Sequence, residues 1–120
     1  AIRGIGVDLC QISRVKTVIE RRGIRFLKRV LHKNELEQFS RIQSPDRQAE
    51  FVAGRWAAKE AAVKAIGWSL PFRLQLVQSK RTERGPPMIS AIGSNITAFV
   101  SITHTGDLSN AICIYESGTK

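Results

Sequence analysis

The chain has 120 residues, enough for one domain with a real core and too few for two. Hydrophobic residues at 42% and charged residues at 24% are the proportions of a soluble globular protein, and no apolar run reaches the length of a membrane span. The net charge of +9 calls for an anionic partner: nucleic acid, a phosphorylated small molecule, an acidic protein or an anionic membrane surface. With aromatics at 7%, no basic stretch interleaved with them and no nucleic-acid motif, nucleic acid ranks second.

Residues 2 to 9 alternate loosely, Ile2, Ile5, Val7 and Leu9 standing among Gly4 and Gly6, and predict a strand that ends on Asp8. The glycines permit close backbone approach. An aspartate at a strand end is ordinarily a turn residue. This start reads as a strand and not as a signal peptide. Ser13 predicts an N-cap for a helix with Ile12, Val15 and Ile19 on its buried stripe and Gly23 as its stop. The opposite stripe carries Arg14, Thr17 and Arg21, with Arg22 and Arg25 close by. A charge run is ordinarily a solvated face, but an arginine row with little acidic relief suits an acidic surface. Two short helical patterns follow, Phe26 to Leu31 and Glu35 to Phe39, and then a polar connector.

The rest of the chain is organised around the next helix. Ser44 as N-cap, Pro45 at the first helical position and Gly67 as the stop predict a helix from Pro45 to Ile66. On a helical wheel Ala57, Ala58, Ala61 and Ala65 make one small-residue face, and Val52, Trp56, Val63 and Ile66 a second, roughly opposite. Arg55, Lys59, Glu60 and Lys64 are then left to the seams. An i,i+4 pair of Glu60 with Lys64 is the ordinary reading of these charges. A carboxylate flanked by Lys59 and Lys64 beside a closely packed alanine face also has the parts of a metal-and-phosphate site.

Beyond a break at Trp68 to Phe72, Arg73 to Ser79 alternates as a strand, Glu83 to Pro87 is a turn, and Met88 to Ile92 pairs back as a hairpin. One helical turn is predicted at Ser94 to Ala98. Strands at Phe99 to Thr103 and Asn110 to Tyr115 are joined by a loop from His104 to Ser109. A lone histidine is ordinarily structural, but His104 sits in the sequence among Ser101, Thr103 and Thr105, a polar company suited to phosphate oxygens. Cys10 and Cys113 lack metal-ligand spacing and read as reduced, packed thiols of an intracellular protein. One α+β domain over residues 1–120 is the expected architecture.

Three separated signals occur together: Gly6-Val7-Asp8 followed by Arg14, Trp56-Ala-Ala-Lys59-Glu60 with Lys64, and Ser101-Ile-Thr-His104 with Ala111. In this order and spacing they resemble the holo-acyl-carrier-protein synthases, the small type of 4′-phosphopantetheinyl transferase, and the resemblance covers roughly residues 2 to 116. It implies a long central helix packed on a small, mostly antiparallel sheet. It also implies a reaction, in which a serine of an apo acyl carrier protein attacks the β-phosphate of coenzyme A. The phosphopantetheine arm is transferred and adenosine 3′,5′-bisphosphate leaves, in support of fatty acid biosynthesis.

By the same resemblance Asp8 and Glu60 match magnesium ligands, and Lys64 lies against the phosphates, so these three form the catalytic set. Arg55, His104 and Thr105, with Lys64, match positions that bind coenzyme A. Either Glu60 or a water on the metal takes the serine proton. Arg14, Arg21, Arg22 and Arg25 would dock the acidic carrier protein, and the enzyme would be a homotrimer with sites shared between neighbours, using neither nucleic acid nor membrane. The expected location is the cytoplasm, or the mitochondrial matrix if a transit peptide has been removed. Gly85-Pro86-Pro87 departs from the family, which often has Lys or Arg between the glycine and a proline of this turn; Arg84 is a possible substitute. Two other readings compete: a basic RNA-associated module, and a coenzyme A-binding protein without chemistry that would tolerate loss of Glu60.

Overall fold

A computed structural model of the chain describes residues 1–67, 77–81, 87–91 and 96–116. Strand β1 (Ile2–Gln11) leads into helices α1 (Ile12–Arg22), α2 (Ile24–Val30), α3 (Lys33–Ser40) and the long α4 (Pro45–Ile66). Strands β2 (Val77–Arg81), β3 (Pro87–Ala91), β4 (Thr97–Thr105) and β5 (Leu108–Glu116) complete one five-stranded sheet in the order β1-β5-β4-β3-β2. Every pairing is antiparallel. The architecture is the expected α+β, with the long helix on the sheet.

Helix α4 has the predicted bounds. Ser44 caps it through Arg47 N, Pro45 opens it, and Gly67 N closes it onto the Val63 carbonyl. Its alanine face is buried against the sheet, where Ala57, Ala58, Ala61, Ala62 and Ala65 form one core with Ile89, Ala98, Val100, Ala111 and Cys113. Of its other predicted apolar face, Val52 and the partly buried Trp56 pack against Ile12, Val15, Leu27, Val30 and Leu31 in a second core, whereas Ile66 packs against the first core with the sheet. The helix is therefore the middle layer of three, which explains why it is apolar on two sides.

Backbone contact joins β1 to α4. A Cβ added to Gly6 would lie 2.0 Å from the Ala61 carbonyl oxygen, and one added to Gly4 would lie 1.8 Å from that of Ala65. No side chain larger than hydrogen fits at either point, as the glycines predicted. Gly4, Gly6, Asp8 and Cys10 of β1 thus face the helix, and by the two-residue period Ile5, Val7 and Leu9 face away and are exposed.

Several sequence expectations need correction. Ser13 is not the N-cap of α1; Gln11 occupies that position without a side-chain cap. Asp107 caps the helix from the distant β4–β5 turn instead. It accepts from Ser13 N at 2.9 Å and from Ser13 Oγ at 2.6 Å, while its own carbonyl accepts from Ile12 N. The predicted helical turn fails at Thr97 and Ala98, which lie in β4; residues 94 and 95 are outside the described residues. The loop from His104 to Ser109 is also wrong, because β4 runs on to Thr105 and β5 begins at Leu108. Only Gly106 and Asp107 form the turn, and Gly106, at φ 56°, supplies the positive φ of a type II′ first position. The predicted hairpin exists as β2 and β3, with Pro87, read as the end of the turn, already in β3; the break at 68–72, the strand start at 73–76, the turn residues 83–86 and Ile92 lie outside the described residues.

Candidate active site

Asp8, Glu60 and Lys64 meet on one flank of α4. Asp8 reaches the helix because Gly6, two residues earlier, lets β1 touch it. Lys64 Nζ lies 3.1 Å from Asp8 Oδ1 and donates to the Val7 carbonyl at 3.0 Å. The Glu60–Lys64 pairing read from the sequence is thus replaced by a link from Lys64 to the strand. Burial pushes the Glu60 carboxyl above its usual range, and the Asp8 charge pushes it further, against the opposing pull of Lys64. Burial also drives the half-buried Cys10 thiol up to about 11, with Asp8 and Glu60 adding to it and Arg14 opposing it. Cys10 therefore borders this cluster, a proximity the sequence reading missed.

The donor set fits a hard divalent cation. Two carboxylates close enough for one to raise the other's proton affinity, in a partly desolvated spot, gain from a shared positive charge, and magnesium characteristically takes one or two carboxylates and leaves its other positions to phosphates and water. No group of three or more His, Cys, Asp or Glu forms a cluster among the described residues, so a site complete in protein ligands, as for structural zinc, is not what this flank offers.

Lys59 is elsewhere. The sequence placed it in a seam beside Glu60, yet it lies within the second apolar face at 0% exposure. There it pairs with Glu35, itself 1% exposed, and donates to the Val30 carbonyl. Burial lowers the Lys59 pKa, and the Glu35 charge works against that. Arg55 turns toward the same carboxylate. Its Nε is 3.1 Å from Glu35 Oε2, its Nη2 donates to Gln38 Oε1 at 3.1 Å, and its guanidinium lies over the Phe51 ring, 4.7 Å from the centroid.

His104 faces the helix side of β4, opposite Ser109 in the register, and lines a cleft of about 720 Å³ with Arg41, Arg47, Phe51, Gly54, Ile102 and Ser109 among others. Two arginines and a histidine, against one carboxylate from Glu50, with the Phe51 ring in the lining, make this cleft suited to a phosphorylated, partly planar ligand. None of Asp8, Glu60 or Lys64 lines it. The polar company predicted for His104 is not at its side: the two-residue period sends Ser101, Thr103 and Thr105 to the opposite face of the sheet. Arg14, Arg21, Arg22 and Arg25 are all exposed along α1 and at the start of α2, with Ile24 exposed among them. One chain therefore unites Asp8, Glu60 and Lys64, sets Arg55 over the Phe51 ring that borders the His104 cleft, and sends Thr105 to the opposite face of the sheet.

Comparison with known proteins defines the class to which this fold belongs. Residues 4–114 match the family described as the 4′-phosphopantetheinyl transferase superfamily. The holo-[acyl-carrier-protein] synthase of Enterococcus faecalis is 41% identical over 117 residues, covering 97% of this chain and 98% of its own; that of Listeria welshimeri is 42% identical over 118 residues, covering 96% and 98%. The crystal structure of the Bacillus anthracis holo-(acyl-carrier-protein) synthase in complex with CoA (3′,5′-ADP) superposes with a TM-score of 0.81 at 29% identity, covering 98% of each chain. The chain belongs to the 4′-phosphopantetheinyl transferase superfamily, and within it to the small holo-acyl-carrier-protein synthase type.

Proposed function

We propose that this enzyme moves the 4′-phosphopantetheine group of coenzyme A onto a serine of an apo acyl carrier protein, with magnesium, in the cytoplasm and in the service of fatty acid biosynthesis. The carrying observation is the Asp8–Glu60–Lys64 cluster, held in a chain of net charge +9. The serine oxygen bonds to the β-phosphorus, the bond from that phosphorus to the bridging oxygen breaks, and adenosine 3′,5′-bisphosphate departs with the electron pair. Asp8 and Glu60 would hold a magnesium ion, which would supply charge neutralisation at the pyrophosphate. Lys64, already on Asp8, lies within reach of the same anionic charge. Either Glu60 or a water on the metal would receive the serine proton. Two free cysteines, Cys10 and Cys113, agree with a reducing compartment. Among the described residues no helix is long and apolar enough to cross a membrane.

The Arg14, Arg21, Arg22 and Arg25 row, with Ile24 inside it, supports docking of an acidic carrier-protein helix, because one-signed charge steers association and a central apolar side chain anchors it. One assay tests the reaction and the docking together. Mass spectrometry of an apo carrier protein mixed with the enzyme, coenzyme A and magnesium is expected to show the added phosphopantetheine. Arg14→Glu with Arg21→Glu is expected to raise the KM for carrier protein about tenfold at low salt, with the coenzyme A KM unchanged and the gap narrowing as salt is added. No transfer by the parent enzyme overturns the reaction, and a shift in the coenzyme A KM alone overturns the docking surface.

A homotrimer with shared sites is the assembly we favour. Ile5, Val7 and Leu9 of β1, Ile112 of β5 and Phe99 of β4 form a continuous exposed apolar face, with Val7 opposite Ile112 and both Ile5 and Phe99 opposite Ile114. An apolar patch of this extent is characteristic of a covered surface. The separation of His104 and Thr105 from Glu60 within one chain fits a site completed by a neighbour. Chains carrying His104→Ala and chains carrying Glu60→Gln are each expected to be nearly inactive, and mixtures refolded together should recover part of the activity. Mixtures as inactive as either parent would place the whole site in one chain.

A further inference from the structure

We infer that Glu35 and Gln38, on α3, are positioning residues for the coenzyme A-binding arginine, so that α3 belongs to the co-substrate machinery; this rests on the reading of Arg55 as a coenzyme A ligand. The carboxylate of Glu35 is 1% exposed and divides its two oxygens. Oε1 accepts from the backbone N of His32 at 2.9 Å, completing the capping box that starts α3, and takes the buried Lys59 ammonium as well. Oε2 faces Arg55 Nε at 3.1 Å, but the N–H is not aimed along a hydrogen bond, so the contact is one of charge. Lys59 is thus the fixed counterion of Glu35, and Arg55 is the second cation, held by attraction. Gln38, one turn further along α3, accepts from Nη2 at 3.1 Å. Phe51, a wall of the His104 cleft, underlies the guanidinium plane.

Among the described residues, Glu35, Gln38 and Phe51 on two helices contact one guanidinium and set its direction before any ligand arrives. An arginine otherwise loses several rotamers on binding, and removing that loss in advance strengthens binding without a new ligand contact. The buried pair also makes a structural demand. Lys59 joins the last residue of α2 to Glu35 of α3, so the helices around Arg55 are pinned to α4 by one ion pair. Removing one member leaves a buried charge, whereas replacing both by apolar residues of similar size is tolerated far better.

Titration calorimetry with adenosine 3′,5′-bisphosphate, together with KM for coenzyme A and for carrier protein, tests the proposal in four variants. Gln38→Ala, at an exposed position, is expected to weaken nucleotide binding and raise the coenzyme A KM about threefold. Glu35→Leu with Lys59→Met is expected to raise it about tenfold, with the carrier-protein KM and kcat within twofold of the parent. Arg55→Ala should weaken it at least as much, and Gln38→Ala placed on Arg55→Ala should add nothing, since both act through one side chain. If Arg55→Ala raises the coenzyme A KM while Gln38→Ala leaves it unchanged, the positioning role is overturned, whether or not the Glu35→Leu, Lys59→Met protein folds. If Arg55→Ala itself changes nothing, it is the assignment of Arg55 to coenzyme A that fails.

Discussion

Replacing Glu60 by Gln is expected to cut transfer by about three orders of magnitude, on the order of 4 kcal/mol of transition-state stabilisation, and at the same time to stabilise the metal-free fold at neutral pH. Asp8→Asn should show the same loss of transfer. The stability half follows from linkage. Burial first, and the Asp8 charge second, raise the folded-state pKa of Glu60 above its unfolded value. Between those two values the folded protein holds more protons than the unfolded one, so stability falls as pH rises through that window and stays lower above it. Glutamine has no such window. In chelator-treated protein the melting temperatures of parent and Glu60→Gln should therefore coincide below the glutamate range and separate above it, with the variant higher. Added magnesium should raise the parent's melting temperature and leave the variant's nearly unmoved. Near-parental transfer by both variants at limiting magnesium would remove these carboxylates from the site. A Glu60→Gln protein less stable than the parent at neutral pH would show that Glu60 supports the fold instead of straining it.

The parts of the fold that sequence exposes are those set by local rules. Ser44, Pro45 and Gly67 bound α4 because capping, proline at the first position and a glycine stop act over a few residues, and its two apolar faces follow from a 3.6-residue period. Gly4 and Gly6 announced a close approach for the same local reason. Lys59 could not be placed this way. A wheel shows that a charge borders an apolar face, but the carboxylate that lets it lie inside that face comes from another helix, 24 residues earlier. Glu35 shows in the sequence as the start of a short helical pattern, but His32, three residues earlier, is not one of the Ser, Thr, Asp or Asn residues that announce a capping box, so nothing local marks it as buried. Ser13 failed as a cap because Asp107, 94 residues away in the chain, offers both oxygens to it. The company of His104 failed because the segment was read as loop; once β4 extends to Thr105, alternate residues must point to opposite faces. Asp8 and Glu60 lie on separate elements, and only the resemblance to a family joined them before the structure did.

Gly6→Ala is expected to be among the most damaging single substitutions outside the charged residues, at about 3 kcal/mol or more, and to damage the proposed metal site as it damages the fold. The new methyl would lie 2.0 Å from the Ala61 carbonyl oxygen and 2.9 Å from Ala65 N, on the helix hydrogen bond that joins these two groups. Neither atom belongs to a flexible side chain, so relief requires β1 and α4 to part by about 1 Å or more, loosening a core that interiors normally fill to crystal-like density. That core is built of alanines, which have no longer side chains with which to follow the strand and refill the gap. Gly4→Ala meets the Ala65 carbonyl in the last turn before Gly67, where a helix end can fray, and should cost less. The functional consequence comes through Asp8. It is carried on the same strand two residues on, and it meets Glu60 and Lys64 only while β1 touches the helix. Gly6→Ala should therefore lower the melting temperature by roughly 10 °C or more and raise the magnesium concentration for half-maximal transfer several-fold, even at temperatures where the protein remains folded. A variant with the parental melting temperature and magnesium dependence would mean that strand and helix are not in backbone contact at Gly6, and the geometry that brings Asp8 to Glu60 would have to be rebuilt from another constraint.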